Sequence, residues 1–353
     1  MSAKTALKTR LFSTTSTLRA SAQPTTATTS ASSSPRHLVN ISQLSNDEFS
    51  SLINKAQTLK SIYKSGSQQQ IVENHQKLLG KLVALLFSKR STRTRISTEG
   101  AASFFGAQPM FLGKDDIQLG VNESMYDTTR VISSMTSCIF ARVNKHQDIL
   151  DLCKDSSVPI INSLCDKYHP LQAIADLLTI KEKFGETKGL KLAWVGDANN
   201  VINDLAIACL KLGINVSVSI PESIKFDQEV ESDAKSLAGE LNLNFEIVND
   251  PKEAVKDANI VVTDTWISMG EEAQKQAKLK QFEGYQITQQ MVKEGGVNSN
   301  WIFMHCLPRH QEEVADDVFY SDNSVVFQEA ENRLYAAMAV IEAFVINKGD
   351  LLK

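Results

Sequence analysis

The apolar run Leu82-Val-Ala-Leu-Leu-Phe87 gives way at once to Ser88-Lys89-Arg90-Ser91-Thr92-Arg93-Thr94-Arg95. A run that short and that apolar predicts a buried strand, and the apolar positions Ile96, Ala101, Phe104 and Phe105 predict a helix directly after it. Hydroxyls and guanidiniums therefore fall where a strand ends and a helix begins. The first N–H groups of a helix lack internal partners, and the helix dipole favours negative charge there. Ser91, Thr92 and Thr94 add hydroxyl donors, and the planar fork of Arg93 can grip two phosphate oxygens. The stretch predicts a phosphate pocket. It is not a Walker loop, because the G-x-x-x-x-G-K-[ST] glycines are missing. The bland alternatives are a solvated basic turn and a localisation signal, and the latter seldom sits against a buried strand.

The same alternation runs along the chain. Helical spacing covers Leu44 to Lys64, opened by Ser45-Asn46-Asp47-Glu48. Gln108 to Leu112 reads as a strand, Gly113 to Gly120 as a polar loop, Glu123 to Met135 as a helix and Ser137 to Ala141 as a strand with Arg142 just past its end. Val158 to Asn162 is a further strand, and Pro170 suits the first turn of a helix continuing to Phe184. His169 and Gln172 then lie one turn apart on the same face. The segment from Leu192 to Val201 looks like the start of a dinucleotide fold, but only Gly196 stands where G-x-G-x-x-G is required and Asn199-Asn200 occupy the turn. Strands over Asn215–Ile220, Asn244–Val248, Ile260–Thr263 and Trp301–Met304 alternate with helices over Asp227–Leu241 and Pro251–Lys256, and a long helix spans Ala330 to Ile346. The expected fold class is α/β, with two doubly wound parallel sheets.

Composition narrows the function. Hydrophobic residues make up 42% and charged residues 22%, and the net charge of −4 gives no global pull toward nucleic acid. No run of 18 apolar residues predicts a membrane span. Met1 to Asn46 contains no Asp or Glu, while Lys4, Lys8, Arg10, Arg19 and Arg36 are basic and Ser, Thr and Ala abound. That is the composition of a mitochondrial transit peptide, cleaved between Arg19 and Arg36. Five cysteines, at 138, 153, 165, 209 and 306, form no C-x-x-C pair, which argues against a disulfide framework or a structural zinc site.

F-x-K-x-S-T-R-T-R resembles the carbamoyl-phosphate signature of the aspartate/ornithine carbamoyltransferase family. With His169-Pro-Leu-Gln172, Asp264-Thr-Trp-Ile-Ser-Met-Gly270 and His305-Cys-Leu-Pro-Arg309, it resembles the ornithine-specific members, from about His37 to the C-terminus. The resemblance implies carbamoyl transfer from carbamoyl phosphate to the δ-amine of L-ornithine, giving citrulline, by a mitochondrial matrix enzyme without metal or organic cofactor. It implies a carbamoyl-phosphate domain over residues 37–175 joined by the C-terminal helix 331–353, an ornithine domain over 176–330, and a leader over 1–36. It also implies a homotrimer with sites at subunit interfaces, where Gln118 reaches the phosphate of a neighbouring subunit.

The resemblance, read with the requirements of that chemistry, implies the remaining roles, those of His169, Gln172, Asn200 and Arg333 being carried over from the family. The leaving group needs Ser91, Thr92, Arg93 and Thr94. The carbonyl oxygen gains negative charge in the transition state and needs oriented donors, for which Arg142, His169 and Arg333 are the candidates. Gln172 receives the carbamoyl amide, and Cys306 and Leu307 complete the pocket. Asp264 offers a carboxylate to ornithine's amino groups, flanked by Ser268 and Met269, and Asn200 holds the α-carboxylate. Cys306 is a polarisable group beside the reacting nitrogen, and no covalent step requires it as a nucleophile. The proton acceptor is either the departing phosphate or a side chain. Aspartate as acceptor would call for additional basic residues in the second domain. A non-catalytic relative would be free to lose Arg93, His169, Asp264 or Cys306, and all four are present.

Overall fold

A computed structural model describes residues 34–114, 123–267 and 275–353. The elements in chain order are α1 (Asn46–Ser65), α2 (Gln68–Gln76), β1 (Leu82–Phe87), α3 (Arg93–Phe104), β2 (Gln108–Gly113), α4 (Met125–Met135), β3 (Ile139–Arg142), α5 (His146–Asp155), β4 (Ile160–Leu164) and α6 (Pro170–Phe184). There follow β5 (Lys191–Val195), α7 (Asn200–Lys211), β6 (Asn215–Ser219), α8 (Gln228–Leu241), β7 (Phe245–Val248), α9 (Pro251–Val255), β8 (Ile260–Thr263), α10 (Lys275–Gln281), α11 (Gln289–Gly295), β9 (Ile302–His305), α12 (Asp316–Phe319) and α13 (Val326–Val340).

The strands form two parallel sheets, ordered β2-β1-β3-β4 and β7-β6-β5-β8-β9. Helices on the sheet faces let central strands such as β1 be wholly apolar, with five of its six residues buried. In each sheet the strand order reverses once, at β1/β3 and at β5/β8. Ligands of open parallel sheets bind outside the carboxyl ends of strands at such reversals. The chain leaving β1 is Ser88–Thr94, that leaving β5 is Gly196–Asn200, and Arg142 and Asp264 lie at the ends of β3 and β8. The two switch points thus carry Ser91–Thr94, Arg142, Asn200 and Asp264 among the residues singled out above.

Helix α13 packs against α6, α3 and α1, and returns the end of the chain to the first sheet. Gly100 of α3 allows the close approach: a Cβ there would meet Leu334 Cδ1 at 3.1 Å. The helix begins at Val326 rather than Ala330, and its last turn widens into a π-helix over Ile341–Ile346. At the other end of the chain Leu38 bridges Ile161, so the segment before α1 lies along β4.

At the end of β3 one boundary differs from the sequence expectation, and helices α2, α5, α10, α11 and α12 were not expected. Arg142 is the last residue of β3 rather than the first beyond it, because a register shift between Ala141 and Arg142 keeps it paired to Leu164. Along α2 only Asn74 is buried, so it has no apolar stripe, and a Ser67/Gln70 capping box starts it. Helix α5 buries Ile149 and Leu152 of its ten residues.

Candidate active site

The loop after β1 enters α3 without a side-chain cap. Thr92 is the N-cap residue, but its hydroxyl takes no N–H of the first turn, so that turn keeps its donors for another acceptor. Ser91 is half-buried, Thr92 exposed, Arg93 half-buried and Thr94 buried. Ser88 N donates to the Arg142 carbonyl at 2.8 Å, which joins the ends of β1 and β3.

Above this junction stand residues from three helices. Arg333 of α13 donates through Nη1 to Gln172 Oε1 at 2.6 Å and through Nη2 to Thr94 Oγ1 at 3.0 Å. One guanidinium therefore links α13, α6 and α3. His169, the N-cap residue of α6, is held by its backbone N–H donating to Asp204 Oδ2 at 2.8 Å. Arg142, His169, Gln172 and Arg333 are all buried.

The electrostatics are unusual for a core. Burial lowers Arg142 to about 10, with Arg93 adding to the effect and Cys306 opposing it. Burial likewise lowers Arg333 to about 10. Burial, then Arg333, Arg142 and Arg93, push His169 well below the ordinary histidine range, so its imidazole is neutral at pH 7. Arg142 Nε, Arg333 Nε and His169 Nδ1 are buried without a hydrogen-bond partner among the described residues. Buried polar atoms are ordinarily paired. Such atoms on two cations and an imidazole mark a place built for an anion or a carbonyl oxygen.

The second sheet supplies the opposite charge. Asp264, just past β8, accepts from Asn199 Nδ2 at 2.9 Å and from Cys306 Sγ at 2.9 Å. Burial raises Asp264, while His305, the Cys306 thiol and the Thr265 N–H oppose it. Burial and then Asp264 push Cys306 well above the ordinary thiol range. Cys306 is thus a neutral donor to a carboxylate and not a thiolate. Leu307 next to it has φ 61°, a strained value for a branched residue, and its carbonyl accepts from Arg93 Nη2. That bond ties the loop and helix start after β1 to the end of β9.

Behind Cys306, the Leu307 N–H donates to His305 Nδ1 at 2.9 Å, which leaves the ring proton on Nε2 to meet Glu313 Oε2 at 3.0 Å. Burial alone would raise Glu313, but the bonds from His305 and His310 hold it below the usual carboxylate range. His305 and Glu313 thereby fix the turn that carries Cys306 and Leu307.

The structure brings together Thr94, Arg93, Arg142, His169, Gln172, Arg333, Asp264, Cys306 and Leu307. Asn200, the first residue of α7, uses its amide N–H on the Cys165 carbonyl at 2.6 Å, so it joins the loop after β4 to α7. Gln118, Ser268 and Met269 lie outside the described residues. Sequence reasoning gave no role to Asn199, which caps α7 by accepting from Val201 N at 2.9 Å while orienting Asp264. The signal was available: an Asn directly before a long apolar helix. Glu313 carried no such signal. Among the described residues no group of three or more His, Cys, Asp or Glu side chains could hold a metal ion.

Two family descriptions match almost end to end. Residues 36–182 match the carbamoyl-P binding domain of aspartate/ornithine carbamoyltransferase, and residues 188–344 match its Asp/Orn binding domain. The chain belongs to the aspartate/ornithine carbamoyltransferase family. Within that family it is 62% identical over 332 residues to the ornithine carbamoyltransferase of Saccharomyces cerevisiae, covering 92% of this chain and 98% of that one. It is 55% identical over 318 residues to the mitochondrial ornithine carbamoyltransferase of Schizosaccharomyces pombe, covering 90% and 97%. Among solved structures, the mitochondrial ornithine carbamoyltransferase of Coccidioides immitis superposes with a TM-score of 0.83 at 52% identity, over 90% of this chain and 99% of that one. The Pyrococcus furiosus ornithine carbamoyltransferase gives the same TM-score at 42% identity, over 89% and 98%.

Proposed function

We infer that this family member transfers the carbamoyl group of carbamoyl phosphate to the δ-amine of L-ornithine, giving L-citrulline and phosphate, a step of arginine biosynthesis. The observation that carries the reading is the set of unpartnered atoms on Arg142, Arg333 and His169 together with the Asp264–Cys306 pair. A doubly charged leaving group and a developing oxyanion need the first set. A substrate with two amino groups needs the second.

In this reading the α3 N-terminus, Ser91, Thr92, Arg93 and Thr94 hold the phosphate. Arg142, Arg333 and the neutral His169 donate to the carbonyl oxygen, more strongly as it gains charge in the transition state. Gln172 Oε1, already accepting from Arg333, has a second lone pair for a carbamoyl N–H. The δ-amine has a free pKa near ~10.4, so the site must accept its neutral form. Asp264 engages the amino groups, and the protonated Cys306 keeps a weak donor beside the reacting nitrogen. The amine attacks the carbonyl carbon, the C–O bond to phosphate breaks, and the ammonium proton leaves to phosphate or to a side chain. Asn200, Ser268 and Met269 hold the amino-acid end, and Gln118 reaches across a trimer interface to the phosphate. The leader before Arg36 directs the chain to the mitochondrial matrix, and the two domains divide near residue 175, with the C-terminal helix returning to the first.

The test is citrulline formation by a chain starting near Arg36, with ornithine, putrescine and aspartate offered in parallel between about pH 6 and 9. Ornithine-selective turnover that rises with pH is expected. Turnover with putrescine alone overturns the roles of Asn200 and Asp264, and carbamoyl-phosphate binding without turnover on any acceptor overturns the catalytic assignment.

A further inference from the structure

Behind Gln172 lie two carboxyl groups that carbamoyl transfer as written above does not use. Asp176 stands on α6 one turn after Gln172, and Glu329 stands in the first turn of α13. Each is only 1% exposed. One amide N–H₂, that of Gln172, donates to both, so the two carboxyls stand side by side in the core. Two buried carboxylates that close offer only acceptors and like charge, so the pair is stable with one proton between them.

The surrounding bonds show where that proton fits. Gln172 Nε2 donates to Asp176 Oδ1 at 2.8 Å and to Glu329 Oε1 at 3.1 Å. Glu329 Oε2 accepts the His305 backbone N–H at 2.9 Å. Both Glu329 oxygens are thus acceptors already, whereas Asp176 uses only Oδ1. That leaves Asp176 Oδ2 as the oxygen that can meet the proton shared with Glu329. Arg333 on α13, Asp264 past β8, Cys306 past β9 and Cys209 on α7 are the charged and titratable groups around the pair.

We propose that Asp176 and Glu329 share one proton and form a positioning pair, which fixes the Gln172 carboxamide and the His305–Leu307 backbone relative to each other. The inference rests on the carbamoyl-transfer reading for its kinetic readout. A flipped Gln172 amide would set its oxygen against two carboxyl oxygens and its N–H₂ against Arg333, so the pair permits one orientation only. That orientation leaves Oε1 on Arg333 and open to the substrate. Through the His305 N–H the same pair anchors the strand end that presents Cys306 and Leu307. The pair therefore joins the carbamoyl half of the site to the amine half. Burial supports retention of the proton, pushing Asp176 up to about 7 and Glu329 well above its ordinary value.

The test compares Asp176→Asn with Asp176→Ala in the otherwise intact chain at one mildly acidic pH, where the pair keeps its proton. Asparagine keeps the Oδ1 acceptor and replaces the shared proton with an N–H, so KM for carbamoyl phosphate is expected within about threefold of wild type. Alanine removes both and is expected to raise that KM at least tenfold, with a smaller effect on kcat. Difference infrared spectroscopy of the free protein is expected to show a protonated-carboxyl band in wild type that Asp176→Asn lacks. Asp176→Asn as damaged as Asp176→Ala overturns the proposal, as does an unchanged KM in Asp176→Ala or a band that survives in Asp176→Asn. Should Asp176→Ala not fold, the Asp176→Asn kinetics and spectrum still decide. A wild-type protein that makes no citrulline refutes the carbamoyl-transfer reading instead, and the infrared band then tests the shared proton by itself.

Discussion

Replacing Arg333 with methionine separates the cost of the site from its use. Among the described residues this buried guanidinium hydrogen-bonds to neutral partners, Gln172 Oε1 at 2.6 Å and Thr94 Oγ1 at 3.0 Å. Its lowering from 12.5 to about 10 corresponds, at 1.36 kcal/mol per pK unit, to about 3 kcal/mol. Because the folded value lies below the unfolded one, this cost is present at neutral pH and is relieved only as pH rises above about 10. Against it stand two bonds from a charged donor, worth roughly 1.5–3 kcal/mol each. Methionine removes both effects and keeps much of the volume. The expected net loss is roughly 1–2 kcal/mol, a fall of a few degrees in Tm.

Ligand binding is expected to respond far more. Arg333 is assigned to the carbonyl oxygen, so one charge-assisted bond is lost from carbamoyl phosphate but not from inorganic phosphate. Carbamoyl-phosphate affinity measured by calorimetry should fall at least tenfold, about 1.4 kcal/mol, while inorganic phosphate changes less than about threefold. An equal loss for both ligands would refute the carbonyl assignment. A collapse in stability of more than about 5 kcal/mol would show instead that the guanidinium is structural.

Three further outcomes follow from the same geometry. Asn199→Ala removes the α7 cap and the bond to Asp264, so it should cost about 1 kcal/mol in denaturant unfolding and raise KM for ornithine more than for carbamoyl phosphate. Gly196→Ala is expected to destabilise by roughly 1–3 kcal/mol and to weaken ornithine binding, since at φ 149° its Cβ would meet Trp266 Nε1 at 2.9 Å and Thr263 Oγ1 at 3.0 Å, beside Asp264. Thermal scans at stepped pH should show His169→Gln less acid-sensitive than wild type. The folded pKa of His169 is depressed, so its neutral form contributes stability above the ordinary value of 6.5 that is lost as pH falls below it.

The motifs pointed to the candidate site because their chemistry is local. A hydroxyl- and arginine-rich junction between an apolar run and a helix reads as an anion pocket from a dozen residues. The alternation of short apolar runs with periodic segments gave two parallel sheets, since buried strands and amphipathic helices differ in period. Helix α2 escaped because only Asn74 of it is buried and no stripe exists to detect, whereas α5 carries Ile149 and Leu152 at helical spacing and could have been read from them.

What only the tertiary structure decided is how the polar groups pair. Arg333 meets Thr94 across 239 positions of sequence and Gln172 across 161, while Glu329 meets Gln172 across 157. The pattern of α13 gives no warning that Glu329 and Arg333 face inward, because a charged residue on a helix normally marks its solvent side. Here both lie in the core, where α13 returns across α6 and α3. Local sequence sets which groups a segment can offer. Only packing sets which of them lose water, and loss of water is what lowers the buried arginines to about 10, keeps His169 neutral and holds a proton on Cys306.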